Sequence, residues 1–202
     1  RFPKNQYIAY MERFKWFMDT EEIQLGDENK KLDGSVENAL DLEGPQFISV
    51  HPKQDSLRFL APAAKYNLRK YIISCINVPF INVADARLYP DSGKVIIQKN
   101  AVMDTLKNSI IMANTVTKYH NIRNVTANVF GRKSYLATGD YQYLDENKKP
   151  YLIKFNKIKP DTIGQTVSEG DISEESKFQF NDYFSFAGKV FLYANNKFLT
   201  YE

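Results

Sequence analysis

Cysteine is nearly absent from this sequence: Cys75 stands alone in 202 residues. One thiol closes no internal disulfide and offers no cysteine cluster to zinc, which excludes a disulfide-stapled scaffold and a zinc ribbon. Flanked by Ile73 and Ile76, it reads as a small buried hydrophobe. Histidine is almost as scarce. His51 precedes Pro52, and His120 sits in the polar stretch Lys118-Tyr119-His120-Asn121. Neither has a partner at ligand spacing, so no metal and no cofactor are expected. Charge of one sign is also lacking: the net charge is +3, and Lys148 and Lys149 sit beside Asp145 and Glu146. A surface that tracks phosphates needs a clustered basic stripe, and its absence argues against a nucleic-acid partner. No apolar run approaches the ~20 residues of a membrane-crossing helix. The strand-like segments are shorter than the ~10 alternating residues of an outer-membrane barrel strand, so the chain is not expected to span a membrane.

Recognisable catalytic motifs are missing as well. There is no Gly-x-Ser-x-Gly elbow, phosphate-binding glycine loop, dinucleotide fingerprint or zinc-protease helix. The expectation is therefore no enzyme and no catalytic residue. Two weaker alternatives need only residues that the chain has. Glycoside hydrolysis requires two carboxylates from distant positions. Asp140, Asp145 and Glu146, close to Tyr141 and Tyr143, are the residues with which this chain would bind or cleave a glycan. The plainer reading is a solvated turn after a tyrosine-bearing strand. Cys75 and His120 would be the members of a nucleophile–base pair, against which stand the apolar flanks of the thiol.

What the sequence does have is aromatic side chains, 14 Phe and 13 Tyr against one Trp. Phe and Tyr suit the half-buried pleated surface of a strand. At the start of the chain the pattern differs. Tyr7, Tyr10, Met11, Phe14 and Met18 fall at spacings of three and four, which predicts one amphipathic helix over about residues 4–18, with Pro3 near its start. Ile23-Gln24-Leu25 follows as a short strand. Residues 27–45 are polar and read as a linker or long surface loop. From residue 46 to the end the period becomes two, and strand-like runs recur about every ten residues. They include 47–50, 57–60, 71–75, 80–88 and 95–97, then alternations through Val125, Ala127 and Val129, through Tyr141 and Tyr143, and through Tyr151, Ile153 and Phe155. Pro52 and Pro62 should end the strands that precede them. The expected architecture is mainly β: a stacked-strand solenoid, a β-taco or jelly-roll-like layers, in three parts (1–26, 27–45 and 46–202).

Two stretches of the chain are alike. Gly93-Lys94-Val95-Ile96-Ile97 leads through Asn100 to Met103 and Thr105, and Gly188-Lys189-Val190-Phe191-Leu192 leads through Asn195 to Phe198 and Thr200. Glycine permits a tight corner, Asn tolerates the left-handed conformation at a second one, and such units bury their apolar faces by stacking. With Asp85-Ala86-Arg87-Leu88 as a third unit, this pattern resembles the repeat of the LptA/OstA family of periplasmic lipopolysaccharide-transport proteins. The run 55–201, including Thr117-Lys118-Tyr119-His120 and Tyr143-Leu144-Asp145-Glu146, is similar to segments of very large Bacteroidetes envelope proteins. The resemblance implies an extracytoplasmic location, in the periplasm or at the outer membrane. It implies neighbouring β repeats of a parent protein, or another envelope protein, as partners, with lipid or glycan as further ligands. Three functions follow as expectations: a non-enzymatic structural or binding module, a lipid or lipopolysaccharide conduit, and a glycan-binding or glycan-active domain.

Overall fold

The structure is a computed structural model that describes residues 1–29 and 45–202. Most of the polar stretch expected at 27–45 thus lies outside the described residues. Seventeen strands follow in chain order: β1 (Tyr7–Tyr10), β2 (Phe14–Phe17), β3 (Glu22–Gly26), β4 (Gln46–Ser49), β5 (Arg58–Leu60), β6 (Ala63–Asn67), β7 (Ile72–Ile76), β8 (Ile81–Val83), β9 (Ala86–Tyr89), β10 (Val95–Ile97), β11 (Leu106–Ala113), β12 (His120–Gly131), β13 (Ser134–Leu144), β14 (Pro150–Pro160), β15 (Thr166–Ile172), β16 (Gly188–Tyr193) and β17 (Thr200–Tyr201). The expectation of a mainly β chain is met. No helix among the described residues is long and apolar enough to cross a membrane.

The strands form two open antiparallel sheets. The larger runs β1-β4-β5-β8-β9-β11-β12-β13-β14-β15-β16-β17 and the smaller β10-β7-β6-β3-β2. In the first half the chain changes sheet after every strand or hairpin: β1 in the larger, β2 and β3 in the smaller, β4 and β5 in the larger, and so on to β11. Four of these crossings carry a proline, Pro45, Pro62, Pro79 and Pro90. Proline has no N–H to give a ladder, so a strand stops there and the chain is free to turn into the other layer. From β11 onward each strand pairs with the next in the larger sheet.

The core lies between the layers. Two rows of side chains run across the inner face of the smaller sheet: Val95, Cys75, Ala64, Leu25 and Phe14, and Ile97, Ile73, Tyr66, Ile23 and Trp16. Tyr7, Phe47, Phe59, Ile81 and Leu88 from the larger sheet are buried in the same cluster. Complete burial of a side chain such as Phe47, Ile73 or Leu88 contributes about 1.5–3 kcal/mol. In β12 the expected alternation holds: Val125, Ala127 and Val129 are buried, while Thr126 and Phe130 are exposed.

Three expectations need correction. No helix forms over residues 4–18, which instead hold β1 and β2. The same segment also contains a period of two, Phe14, Trp16 and Met18. Pairing with distant strands decides between the periods: Tyr7 opposes Ser49, and Phe14 opposes Leu25. The run 80–88 is a hairpin, β8 and β9, rather than one strand. Ala84 takes φ 52, and Val83 pairs with Ala86 around it. The two Gly-Lys-Val units share an outline of strand, turn and strand but not their corners. Gly93 closes a 3-10 turn at φ 61, whereas Gly188 opens β16 at φ 152 opposite Ile172. Ile97 meets Met103 in the first unit, while Phe191 meets Thr200 in the second, so the registers differ. No solenoid coil is shown among the described residues.

Candidate functional site

Strand β13 positions the tyrosines singled out in the sequence. Its alternation turns Tyr141 and Tyr143 to the inner face, half-buried, and leaves Gln142 and Leu144 exposed. Tyr141 meets His120, the first residue of β12. The imidazole is wholly buried, with Nδ1 3.1 Å from the Tyr141 hydroxyl and Nε2 2.7 Å from the Asn196 carbonyl. A carbonyl only accepts, so Nε2 carries the proton and Nδ1 accepts from the tyrosine. Burial holds the His120 pKa below its usual range, opposed by the bond to Asn196. Burial also raises the Tyr141 hydroxyl, with Tyr143 adding to the effect. The result is a neutral imidazole with both nitrogens engaged, which ties the turn after β16 to β12 and β13. Next to it, Asn114 Nδ2 donates to Asn195 Oδ1 at 2.5 Å and Thr117 Oγ1 donates to the Ala194 carbonyl at 3.1 Å.

Tyr143 belongs to a different group, an aromatic cluster built around Phe178. That ring lies 4.9 Å from both Tyr143 and Tyr151, 5.4 Å from Phe180 and 6.1 Å from Tyr201. Phe186 closes the cluster against Tyr201 at 5.2 Å. Burial and then the Asp145 carboxylate raise the Tyr143 pKa. Asp145 is buried, and its Oδ1 accepts the Lys149 N–H at 2.8 Å while its own carbonyl accepts from Lys148. The carboxylate is thus occupied in closing the turn that joins β13 to β14. Glu146 donates its N–H to the Phe180 carbonyl, which anchors the segment carrying Phe178. Asp140, on the other side of Tyr141, accepts from Asn124 Nδ2 at 2.9 Å. The structure therefore sends Tyr141 to a histidine bridge, Tyr143 to an aromatic cluster and Asp145 to a turn. The contacts found for these residues join them to structural elements.

Cys75 is wholly buried in an inner row of the smaller sheet, where burial raises its pKa. It lies on β7 of the smaller sheet, whereas His120 begins β12 of the larger. His51 accepts the Lys53 N–H at Nδ1, which starts a 3-10 turn. Among the described residues no three His, Cys, Asp or Glu side chains come together to hold a metal ion.

Two features escaped the sequence reading. One is the partnership of Phe178, Phe180, Phe186 and Tyr201, whose only signal was the Phe-x-Phe at 178–180. The other is β2, whose four residues are all exposed. Phe14-Lys15-Trp16-Phe17 is a short aromatic run of strand type, and the helical spacing around it masked that signal. An open cleft of ≈ 650 Å³ lies at the bend between β1 and β2, lined by Tyr10, Met11, Arg13, Asp27, Pro45 and Pro62 among others. Pro45 also borders the stretch outside the described residues, and no chemistry is assigned to the cleft.

No family model, no curated protein and no solved structure matches this chain.

Proposed function

We propose that this chain is a non-enzymatic structural or binding module of a larger exported envelope protein, working outside the cytoplasm through sheet surface and sheet edges. The observation that carries this reading is the filled space between the two sheets. Tyr7, Phe47, Phe59 and Ile81 of one layer and Tyr66, Ile73 and Ile97 of the other are at most 7% exposed. A conduit for lipid or lipopolysaccharide would need an open groove lined by such side chains. Burial of these side chains against one another favours the module over the conduit. A glycan-active domain is less favoured again, because Tyr141, Tyr143 and Asp145 are engaged within the protein.

The finer architecture we read as a folded-over stack of the β-taco kind. Its support is the regular exchange of hairpins between layers, which keeps sequence neighbours adjacent in both sheets. In this reading the partners are further β repeats of the parent protein or of another envelope protein.

The test is titration with a fluorescent fatty-acyl probe. The module reading expects no saturable binding. Stoichiometric, saturable uptake of one acyl chain per protein would overturn it in favour of the conduit.

A further inference from the structure

The free edge of the smaller sheet is built unlike a finished surface. Among the described residues β2 is paired on one side only, to β3, in a register without interruption. Phe14 is 72% exposed, Trp16 60%, Phe17 45%, and Met18 just beyond the strand 72%. Soluble proteins blunt such edges with charges, proline or a bulge. Here the strand offers one charge, Lys15.

Phe14 and Trp16 are the outermost members of the two apolar rows that form the core of the smaller sheet. Along the first row exposure is zero at Val95, Cys75 and Ala64, 9% at Leu25 and 72% at Phe14. The inner face thus continues one strand beyond the point where its core is covered. The backbone agrees. Gly26 N–H donates to the Arg13 carbonyl at 2.9 Å, between residues that oppose each other in the register of β2 and β3. Hydrogen-bonded pairs alternate along an antiparallel ladder, so Lys15 and Phe17 also face β3. The N–H and C=O groups of Phe14 and Trp16 point away from the sheet, ready for another strand. On the outer face, Lys65 of β6 pairs with Glu28 at 2.8 Å, but no carboxylate meets Lys15 among the described residues.

We propose that β2 is a docking edge for an extended strand of a partner protein in which an acidic residue stands between two apolar ones. The apolar pair continues the rows that end at Phe14 and Trp16, and the carboxylate meets Lys15. This deepens the reading of the chain as a binding module and rests on it. A second copy of β2 fits less well. The antiparallel register that satisfies Phe14 and Trp16 in both copies sets Lys15 against Lys15, and like charges directly opposite are destabilising. The register centred on Trp16 instead sets Phe14 against Met18, whose carbonyl already accepts from Glu21 N–H.

Trp16 is the only tryptophan, so its fluorescence reports on this edge directly. The probes are two blocked peptides without tryptophan, Thr-Val-Glu-Val-Thr and Thr-Val-Lys-Val-Thr, titrated into the whole chain to millimolar concentration. Docking of the glutamate peptide shifts the emission to the blue and saturates. It binds at least about threefold more tightly than the lysine peptide, as expected for a cross-strand charge pair. The preference fades in high salt and reverses in Lys15→Glu, an exposed substitution whose fold is checked by circular dichroism. Absence of a saturable shift, or equal affinity for the two peptides, overturns the proposal. A blue shift that grows with protein concentration alone makes a second copy the occupant and overturns it too. Uptake of the acyl probe with an intact peptide response would sink the module reading and leave the docking edge standing.

Discussion

Phe178 is the residue on which the end of the larger sheet should depend most. It lies in the segment between β15 and β16, which has little regular structure beyond a 3-10 turn at Glu174–Ser176 and the bridge between Gln179 and Ser185. The ring is 2% exposed and touches five other aromatic rings. Phe178→Ala removes the buried ring and leaves a cavity walled by side chains from β13, β14 and β17. Phe→Ala changes in cores cost about 3–5 kcal/mol. For a chain of this size each kcal/mol lowers the melting temperature by about 2–4 °C, so a loss near 4 kcal/mol lowers it by ~8–16 °C. The same segment supplies its own control. Tyr183 is 89% exposed, and Tyr183→Ala should change stability by no more than about 0.5 kcal/mol. Thermal melts followed by near-ultraviolet circular dichroism, which is dominated here by tyrosine, compare the two. A Phe178→Ala protein melting within about 3 °C of the parent, or together with Tyr183→Ala, would refute the claim that this ring holds the segment down.

Two further outcomes follow from the geometry. A Cβ added at Gly26, where φ is +71°, would lie 2.0 Å from the Pro62 carbonyl oxygen, whereas one added at Gly164, at φ +87°, meets nothing within 4 Å. Gly164→Ala should therefore cost only the conformational term of about 1–2 kcal/mol, while Gly26→Ala adds a backbone clash and should cost roughly 3 kcal/mol or more by denaturant titration; equal losses would remove the close-approach argument. His120 titrates below its ordinary value because it is buried, so the unfolded chain takes up the proton first. The contribution of His120 to stability should be flat above about pH 6.5 and fall as pH drops below it, by at most about 1.4 kcal/mol per pH unit, until the folded imidazole also protonates. His120→Asn should flatten that slope between pH 7 and 5, and an unchanged slope would assign the dependence elsewhere.

The β character of this chain was legible because strand periodicity is a local signal. Val125, Ala127 and Val129 declare their face within five residues, and Pro62 declares the end of β5. The first 18 residues were not legible, because their side chains satisfy two periods at once. Only the distant partners Ser49 and Leu25 decide between them, and a linear pattern carries no record of such partners. The same limit governs the site residues. Tyr141 and Tyr143 are two positions apart on one strand and share a face, yet one reaches His120 and the other Phe178. Their different fates follow from which strands lie across from them. Asp145 had the composition of a solvated turn, and it does close a turn, but with its carboxylate folded inward onto the Lys149 N–H.

The aromatic excess that marks the sequence serves two opposite purposes in the structure. Around Phe178, five rings shield one another at the end where strands β13, β14 and β17 meet. At β2, Phe14, Trp16 and Phe17 stand on an edge with nothing described above them. A stability argument accounts for the first group, since every ring there gains contacts on folding. It does not account for the second, because a ring that is 72% exposed contributes little to its own fold. Replacing Phe14 and Trp16 with threonine would keep β2 a strand former and lower the tendency of the edge to associate. That the sequence carries large apolar groups at the two positions whose backbone also points outward is hard to explain by folding alone. It is explained directly if the rows they terminate are completed by another chain.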